Sequence, residues 1–280
     1  LTRREILAGG LAAAGALATG VTAPARTAPQ RAEERFKLGL QSYSLRGLTS
    51  GGKPDIMKAL AASRDLGVHH WESYTAHVPL DAPPARLQEL KAQAEAAGVQ
   101  INGYGVVHLG TDEAANRKIF EFARTLGVTY LSADPDPKSF DLLDKLVEEY
   151  GVPVGIHNHG PGHRFALIDT IAKAIKDHNP KIGCCIDTGH FLRSREDPVR
   201  AVEAFGKRVY GVHLKDVKDA ETFTVLGKGD LRTADLLRAL AANKYDYCLA
   251  IEYEEKPEDP VDDIRACLQY AREVIASLAG

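Results

Sequence analysis

The chain has 280 residues, 44% hydrophobic and 26% charged, which is ordinary globular composition with ample material for a core. A formal net charge of −3 leaves no basic footprint for nucleic acid. The four cysteines give no disulfide framework: Cys184 and Cys185 are neighbours on one extended run and point to opposite sides, so buried, reduced thiols are expected.

The first 25 residues differ from the rest. Arg3 and Arg4 precede an Ala- and Gly-rich apolar run from Ile6 to Val21, and Ala23-Pro24-Ala25 supplies a small-residue cleavage pattern. This stretch resembles a twin-arginine export signal, which implies a periplasmic or otherwise exported protein, residues 26–35 being a linker. The run is too short and too weakly apolar to favour a permanent membrane span, so no stable insertion is expected after cleavage.

From Phe36 onward strand-like and helix-like runs alternate. Lys37 to Tyr43 reads as a first strand, followed by a helix from Ile56 to Leu66. Val68 to Tyr74 is a second strand, and its helix starts at Pro84, a suitable first-turn residue, and stops before Gly98. Gln100 to His108 is the third strand; Ala115, Ile119, Phe122 and Leu126 form one face of the helix that Gly127 ends. Val128 to Ala133 and a helix capped by Ser139 make the fourth unit, and Pro153 to His157 with Ile168, Ile171 and Ile175 the fifth. The sixth strand, Ile182 to Ile186, is apolar throughout, as in a strand covered on both faces, and leads to a helix from Pro198 to Phe205. Val209 to His213 is the seventh; an excursion through Gly227-Lys-Gly-Asp230 then enters a helix from Leu231 to Ala242. Tyr247 to Glu252 is the eighth, and Val261, Ile264 and Leu268 mark the closing helix.

Eight such units between residues 36 and 280 predict a single-domain α/β fold, a (β/α)8 TIM barrel. A doubly wound sheet is the alternative, but no Gly-rich dinucleotide fingerprint follows the first strand. In a closed parallel barrel all strand C-termini share one mouth, and here they carry Glu72, His108, His157, His159, Asp187, His190, His213 and Glu252. Carboxylates and imidazoles without thiolates suit one divalent first-row ion, Mn²⁺ first and Co²⁺ or Zn²⁺ next, with Asp187, His213 and Glu252 as ligands from successive strands. Read blandly, Asp187 only caps the turn through Thr188 and Gly189.

Ile-Asp-Thr-Gly-His (186–190), Val-His-Leu-Lys-Asp (212–216), Ile-Glu-Tyr (251–253) and Ile-His-Asn-His-Gly (156–160), taken in order, resemble the sugar phosphate isomerase/epimerase family, the xylose isomerase-like barrels. The first strand and Gly227–Asp230 are similar as well, so the resemblance runs from about residue 36 to the end. It implies metal binding by Asp187, His213 and Glu252. At the end of strand five many relatives carry Glu-Asn-His, whose glutamate is both ligand and base; this chain has His157-Asn158-His159. A ligating imidazole is a poor base, so His157 is expected as a ligand, His159 as a substrate contact and Glu252 as the acid–base residue. Burial and the cation are expected to pull the Glu252 pKa in opposite directions and leave a usable base near neutral pH.

Glu72 is open between ligand, support and substrate contact, and His108 and His190 are placed among substrate or supporting residues. Lys215 either stabilises an enolate oxygen or pairs with Asp216. The resulting expectation is a metal-dependent isomerase or epimerase of a small sugar or keto-sugar working through an enediolate. A keto-sugar lyase or dehydratase shares the first half of that chemistry. A DNA-repair nuclease on the same barrel is disfavoured by charge, and an exported non-catalytic carbohydrate-binding protein is the remaining class. Oligomeric state is left open.

Overall fold

The computed structural model describes residues 35–278; the paired arginines and the apolar run after them lie outside the described residues. Eight parallel strands close into a barrel: β1 Lys37–Gln41, β2 His70–Ser73, β3 Gln100–Leu109, β4 Tyr130–Pro135, β5 Val154–His157, β6 Ile182–Asp187, β7 Val209–Leu214 and β8 Cys248–Ile251. Each pairs with its neighbour in sequence, and β8 closes on β1. Helices α1 Ile56–Asp65, α2 Pro84–Ala96, α3 Glu113–Leu126, α4 Phe140–Tyr150, α5 Ile168–Ile175, α6 Thr188–Arg193, α7 Pro198–Phe205, α8 Thr233–Ala242 and α9 Val261–Ser277 follow the strands.

The expected element order holds, with small shifts at the ends. β1 stops at Gln41 because residues 42–45 turn into a 3₁₀ segment whose start is capped by the Gln41 side chain, 3.1 Å from the Tyr43 N–H. Asp55 caps α1 by accepting from Met57 N at 2.9 Å, and Asp112 caps α3 through Ala115 N at 3.1 Å. Gly127 ends α3 at φ 82°, as the sequence implied. Ser139 stands before α4 but makes no side-chain cap bond to it; its hydroxyl donates to Asp136 O instead.

β6 and β7 are buried at every residue, so their period-two alternation sorts side chains between two apolar volumes. Ile182, Cys184 and Ile186 pack in the large core between barrel and helices, whereas Tyr130, Tyr210, Cys248 and Ala250 form a separate cluster. All four cysteines are free and buried. A Cβ at residue 103 would come 2.3 Å from the Tyr130 ring, so Gly103 is what lets that ring cross the barrel.

The excursion after β7 is an antiparallel hairpin of Asp216–Lys218 and Thr222–Thr224. One buried carboxylate holds its return. Asp216 accepts from Val217 N at 2.9 Å and Leu231 N at 3.0 Å on Oδ1, and from Gly227 N at 2.9 Å and Gly229 N at 3.0 Å on Oδ2. The glycines of Gly227–Asp230 are thus where the backbone wraps a side chain: a Cβ at residue 229 would lie 2.4 Å from Asp216 Oδ1. Removing the carboxylate leaves these donors without their acceptor, so Asp216→Ala should lower stability by about 3 kcal/mol in urea denaturation. A loss below about 1 kcal/mol would mean that water replaces it.

Candidate active site

The C-terminal ends of β5, β6 and β7 are lashed together by polar side chains. Asn158 donates Nδ2–H to Asp187 O at 2.9 Å and accepts from Asp187 N at 2.7 Å. Thr188 Oγ1 donates to Lys215 O at 2.6 Å and accepts from Lys215 N at 2.9 Å. Gly189 has no side chain because the Lys215 stem passes there; a Cβ would meet Lys215 Cγ at 2.7 Å. The four residues of Asp-Thr-Gly-His therefore divide three tasks: Asp187 and His190 face the mouth, Thr188 ties two strand ends and Gly189 makes room.

Asp187 caps the following turn with one oxygen, as the plainer sequence reading expected, and turns the other toward its buried neighbours. Oδ1 caps α6, 2.7 Å from His190 N. Oδ2 turns to a buried group in which His157, Asp187, His213 and Glu252 each offer one atom, all within 4.8 Å of one another. His157 Nε2 is 3.0 Å from His213 Nδ1 and 3.5 Å from Asp187 Oδ2, and His213 Nδ1 is 3.2 Å from Glu252 Oε2. Ligands bound at about 2.1 Å on adjacent positions of one ion stand about 3.0–3.4 Å apart, so these spacings suit one small divalent cation. Asp187 Oδ2 and Glu252 Oε2 are buried without an aligned hydrogen bond, although the Lys215 ammonium is 2.9 and 2.8 Å away. The donor set of two nitrogens and two oxygens fits a borderline first-row ion.

Charge in this group is tightly matched. Burial opposes the Asp187 and Glu252 charges, yet Lys215 and neighbouring histidines outweigh it, holding Asp187 well below the carboxylate range and Glu252 at about 2. Glu252 therefore stays ionised at every working pH rather than approaching neutral pH as the sequence had suggested. Lys215 is raised in turn: burial lowers it, and Asp187, Glu252 and Glu254 more than compensate. It pairs with those three carboxylates and not with Asp216, whose oxygens are taken by backbone N–H groups.

Glu72 lies beneath the group with no exposure and does not line the cavity, so of the three roles left open for it substrate contact falls away. Its carboxylate accepts from Gln41 Nε2 at 2.9 Å, Tyr130 OH at 2.6 Å and Ser132 Oγ at 2.5 Å. His213 Nε2 sits 3.0 Å away, in ionic contact rather than in an aligned hydrogen bond. Burial works against the His213 charge, but Cys185, Glu72 and Glu252 reverse the balance and raise its pKa well above 6.5. Glu72 thus fixes which edge of the His213 ring faces the mouth.

Above the group opens a cavity of about 310 Å³. His159 and His190 line it with Lys215 and Glu252 on one side, and Tyr43 and Tyr74, edge to face at 4.9 Å, stand on another. Burial, with His157 next in weight, pushes His159 down to about 3; burial, with Lys215 adding to it, pushes His190 to about 4, so both are neutral imidazoles. His163, from the loop after β5, packs on His159 with ring centroids 4.4 Å apart. Phe223 from the hairpin covers the flank, 5.6 Å from His190.

His108 is not in the cavity. It is exposed, its Nδ1 contacts Asp134 O at 3.1 Å, and Gly105 and Val106 represent β3 in the lining instead. The His108 assignment rests on its place at a strand end, which does not fix the face its side chain takes, and a shift in the β3–β4 register lies just before it, between Tyr104 and Val107. Glu254, Asn158 and the two tyrosines were not singled out, because they lie beyond strand ends or within common turn sequences.

Residues 60–274 match the family of the xylose isomerase-like TIM barrel. An inosose dehydratase of Clostridium tetani is 29% identical over 139 residues, 43% of this chain and 46% of that protein. A 3-oxo-isoapionate decarboxylase of Pectobacterium atrosepticum is 26% identical over 195 residues, 64% of this chain and 68% of that protein. The chain spans about half the length of the first of these relatives. In structure, a 3-keto-D-glucoside 4-epimerase from E. coli superposes with a TM-score of 0.66 over 85% of this chain and 99% of that one, at 16% identity, a likeness of fold.

The buried Glu72 contacts are testable apart from any chemistry. Glu72→Gln keeps the shape but faces an amide toward groups that already donate, and should lower stability by about 3 kcal/mol in urea denaturation. Tyr130→Phe, which removes one donor, should cost about 1 kcal/mol. Equal small losses in both would deny Glu72 its place as the central acceptor.

Proposed function

The chain belongs to the xylose isomerase-like TIM-barrel family, and from that premise we propose that it is a divalent-metal-dependent enzyme that isomerises or epimerises a small sugar or keto-sugar through an enediolate. The observation that carries the reading is the convergence of two carboxylate oxygens and two imidazole nitrogens at the floor of a cavity of about 310 Å³. That volume suits a molecule of monosaccharide size. His157, Asp187, His213 and Glu252 would hold the ion, with Mn²⁺ the first candidate and Co²⁺ or Zn²⁺ next.

When bound, the ion supplies Lewis acidity that polarises a carbonyl and acidifies the neighbouring C–H. The remaining work belongs to the side chains. Glu252, ionised at the cavity floor, takes the proton, and the Lys215 ammonium faces the oxygen on which charge then develops. His159 and His190, both neutral, each offer one N–H and one lone pair to substrate hydroxyls. With an imidazole at residue 157, proton return to a second face falls to His159, which lines the same cavity and would relay a proton from solvent while Glu252 gives its own up. Tyr43 and Tyr74 supply apolar faces for the C–H side of a sugar ring and limit water.

A second reading, elimination or decarboxylation of a keto-sugar, is favoured by the sequence relatives named inosose dehydratase and 3-oxo-isoapionate decarboxylase. It uses the same deprotonated intermediate or its equivalent and differs in what leaves. Incubating the metal-loaded protein with a panel of keto-sugars in D₂O separates the two: solvent deuterium in an intact sugar supports isomerisation or epimerisation, and loss of water or CO₂ supports the lyase. Neither outcome with any member of the panel would leave a binding protein.

Two outcomes are expected of variants. The wild-type chain should take up about one divalent ion, and Asp187→Ala or His213→Ala should release it, as elemental analysis after gel filtration would read. Glu252→Gln keeps an oxygen ligand and removes the base, so most of the metal should stay while exchange falls about 10²- to 10⁴-fold. Retained exchange in that variant would move the base to another residue.

A further inference from the structure

Lys215 and Glu254 stand out because the ammonium occupies the oxygens that the proposed ion would need. Lys215 Nζ lies 2.9 Å from Asp187 Oδ2 and 2.8 Å from Glu252 Oε2, the atoms that also face His157 and His213. It makes a third ion pair with Glu254 Oε1. The lysine is 3% exposed and has little freedom: its stem crosses Gly189, and the Phe223 ring lies 5.0 Å from Nζ. Glu254, by contrast, has a side chain 26% exposed at the rim of the cavity, and its carbonyl is anchored by Arg46 NH2 at 2.6 Å. It is the only one of the three carboxylates outside the metal-ligating group.

We propose that Lys215 is the resident counter-ion of this centre and that Glu254 is the berth to which it withdraws when a divalent cation takes Asp187 and Glu252, so that the pair sets the affinity of the site. The inference rests on the reading of His157, Asp187, His213 and Glu252 as a metal centre. Two cations sharing the same pair of carboxylate oxygens repel one another strongly in a buried site, and a third carboxylate beside them relieves that repulsion only by holding the ammonium. The charge at residue 215 then opposes metal binding, while the charge at residue 254 favours it through the lysine. A lysine so held keeps its ammonium beside the cavity after the ion arrives, where a substrate oxygen can meet it.

The two substitutions should move metal affinity in opposite directions. Mn²⁺ titration of the full chain, with free ion read by electron paramagnetic resonance, should show Lys215→Met binding about tenfold or more tightly than wild type. Glu254→Gln should bind about tenfold more weakly, and Lys215→Arg, which retains the charge, close to wild type. In the double variant the Glu254 effect should vanish, because it acts through the lysine. Weaker binding by a folded Lys215→Met, or a Glu254 effect that persists in its background, would overturn the proposal. If Lys215→Met does not fold, unchanged affinity in Glu254→Gln would do the same. Should wild type bind no Mn²⁺ while Lys215→Met binds it, the resident-metal reading fails and the counter-ion role stands; binding by neither defeats both.

Discussion

Four carboxylates and two cationic side chains share one buried volume at the top of this barrel, and nearly everything else in the structure serves to keep them there. Glu72, Asp187, Glu252 and Glu254 face His213 and Lys215, and each of the first three is 8% exposed or less. Ions withdrawn from water to this degree lose several kcal/mol each unless opposite charges and donors are fixed in place. The chain fixes them by using short side chains at strand ends as fasteners: Asn158 between β5 and β6, Thr188 between β6 and β7. Net negative charge left over from this matching is what a divalent ion would complete.

The vertical order matters as much as the charge. Tyr130 and Ser132 on β4 and Gln41 on β1 hold Glu72, and Glu72 presents His213. A Gly at residue 103 on β3 therefore has an influence that reaches the mouth through Tyr130, Glu72 and His213, none of which lines the cavity. Such an arrangement is stiff: each member is hydrogen-bonded or in charge contact with the next, and a one-atom change at the bottom has no slack in which to be absorbed.

The sequence was most informative where chemistry and strand ends coincide. Apolar runs ending in Asp187, His213 and Glu252 implied both the barrel and the convergence of their side chains, because parallel strands in a closed sheet share one end. Depth was not legible. Glu72 closes a strand just as Glu252 does, yet a register shift beside Trp71 and the donors Tyr130, Ser132 and Gln41 place it below the mouth, and those donors come from far along the chain. His108 failed for a related reason, since its position at a strand end does not say which way the side chain faces, and an irregularity inside β3 lies just before it. Glu254 lies past the strand, where only the position of Lys215 gives it meaning.

The Tyr130 ring has a consequence for traffic. By lying across the interior, with Tyr210, Cys248 and Ala250 packed around it, it makes the barrel a blind alley. Whatever enters past Tyr43, Tyr74 and Phe223 must leave by the same opening, in reverse order of arrival. A molecule resting on the floor would shield the facing carboxylates and imidazoles from solvent. For the proposed proton transfer such a dead end is an advantage, because the side chains that would take and return a proton share one enclosed volume.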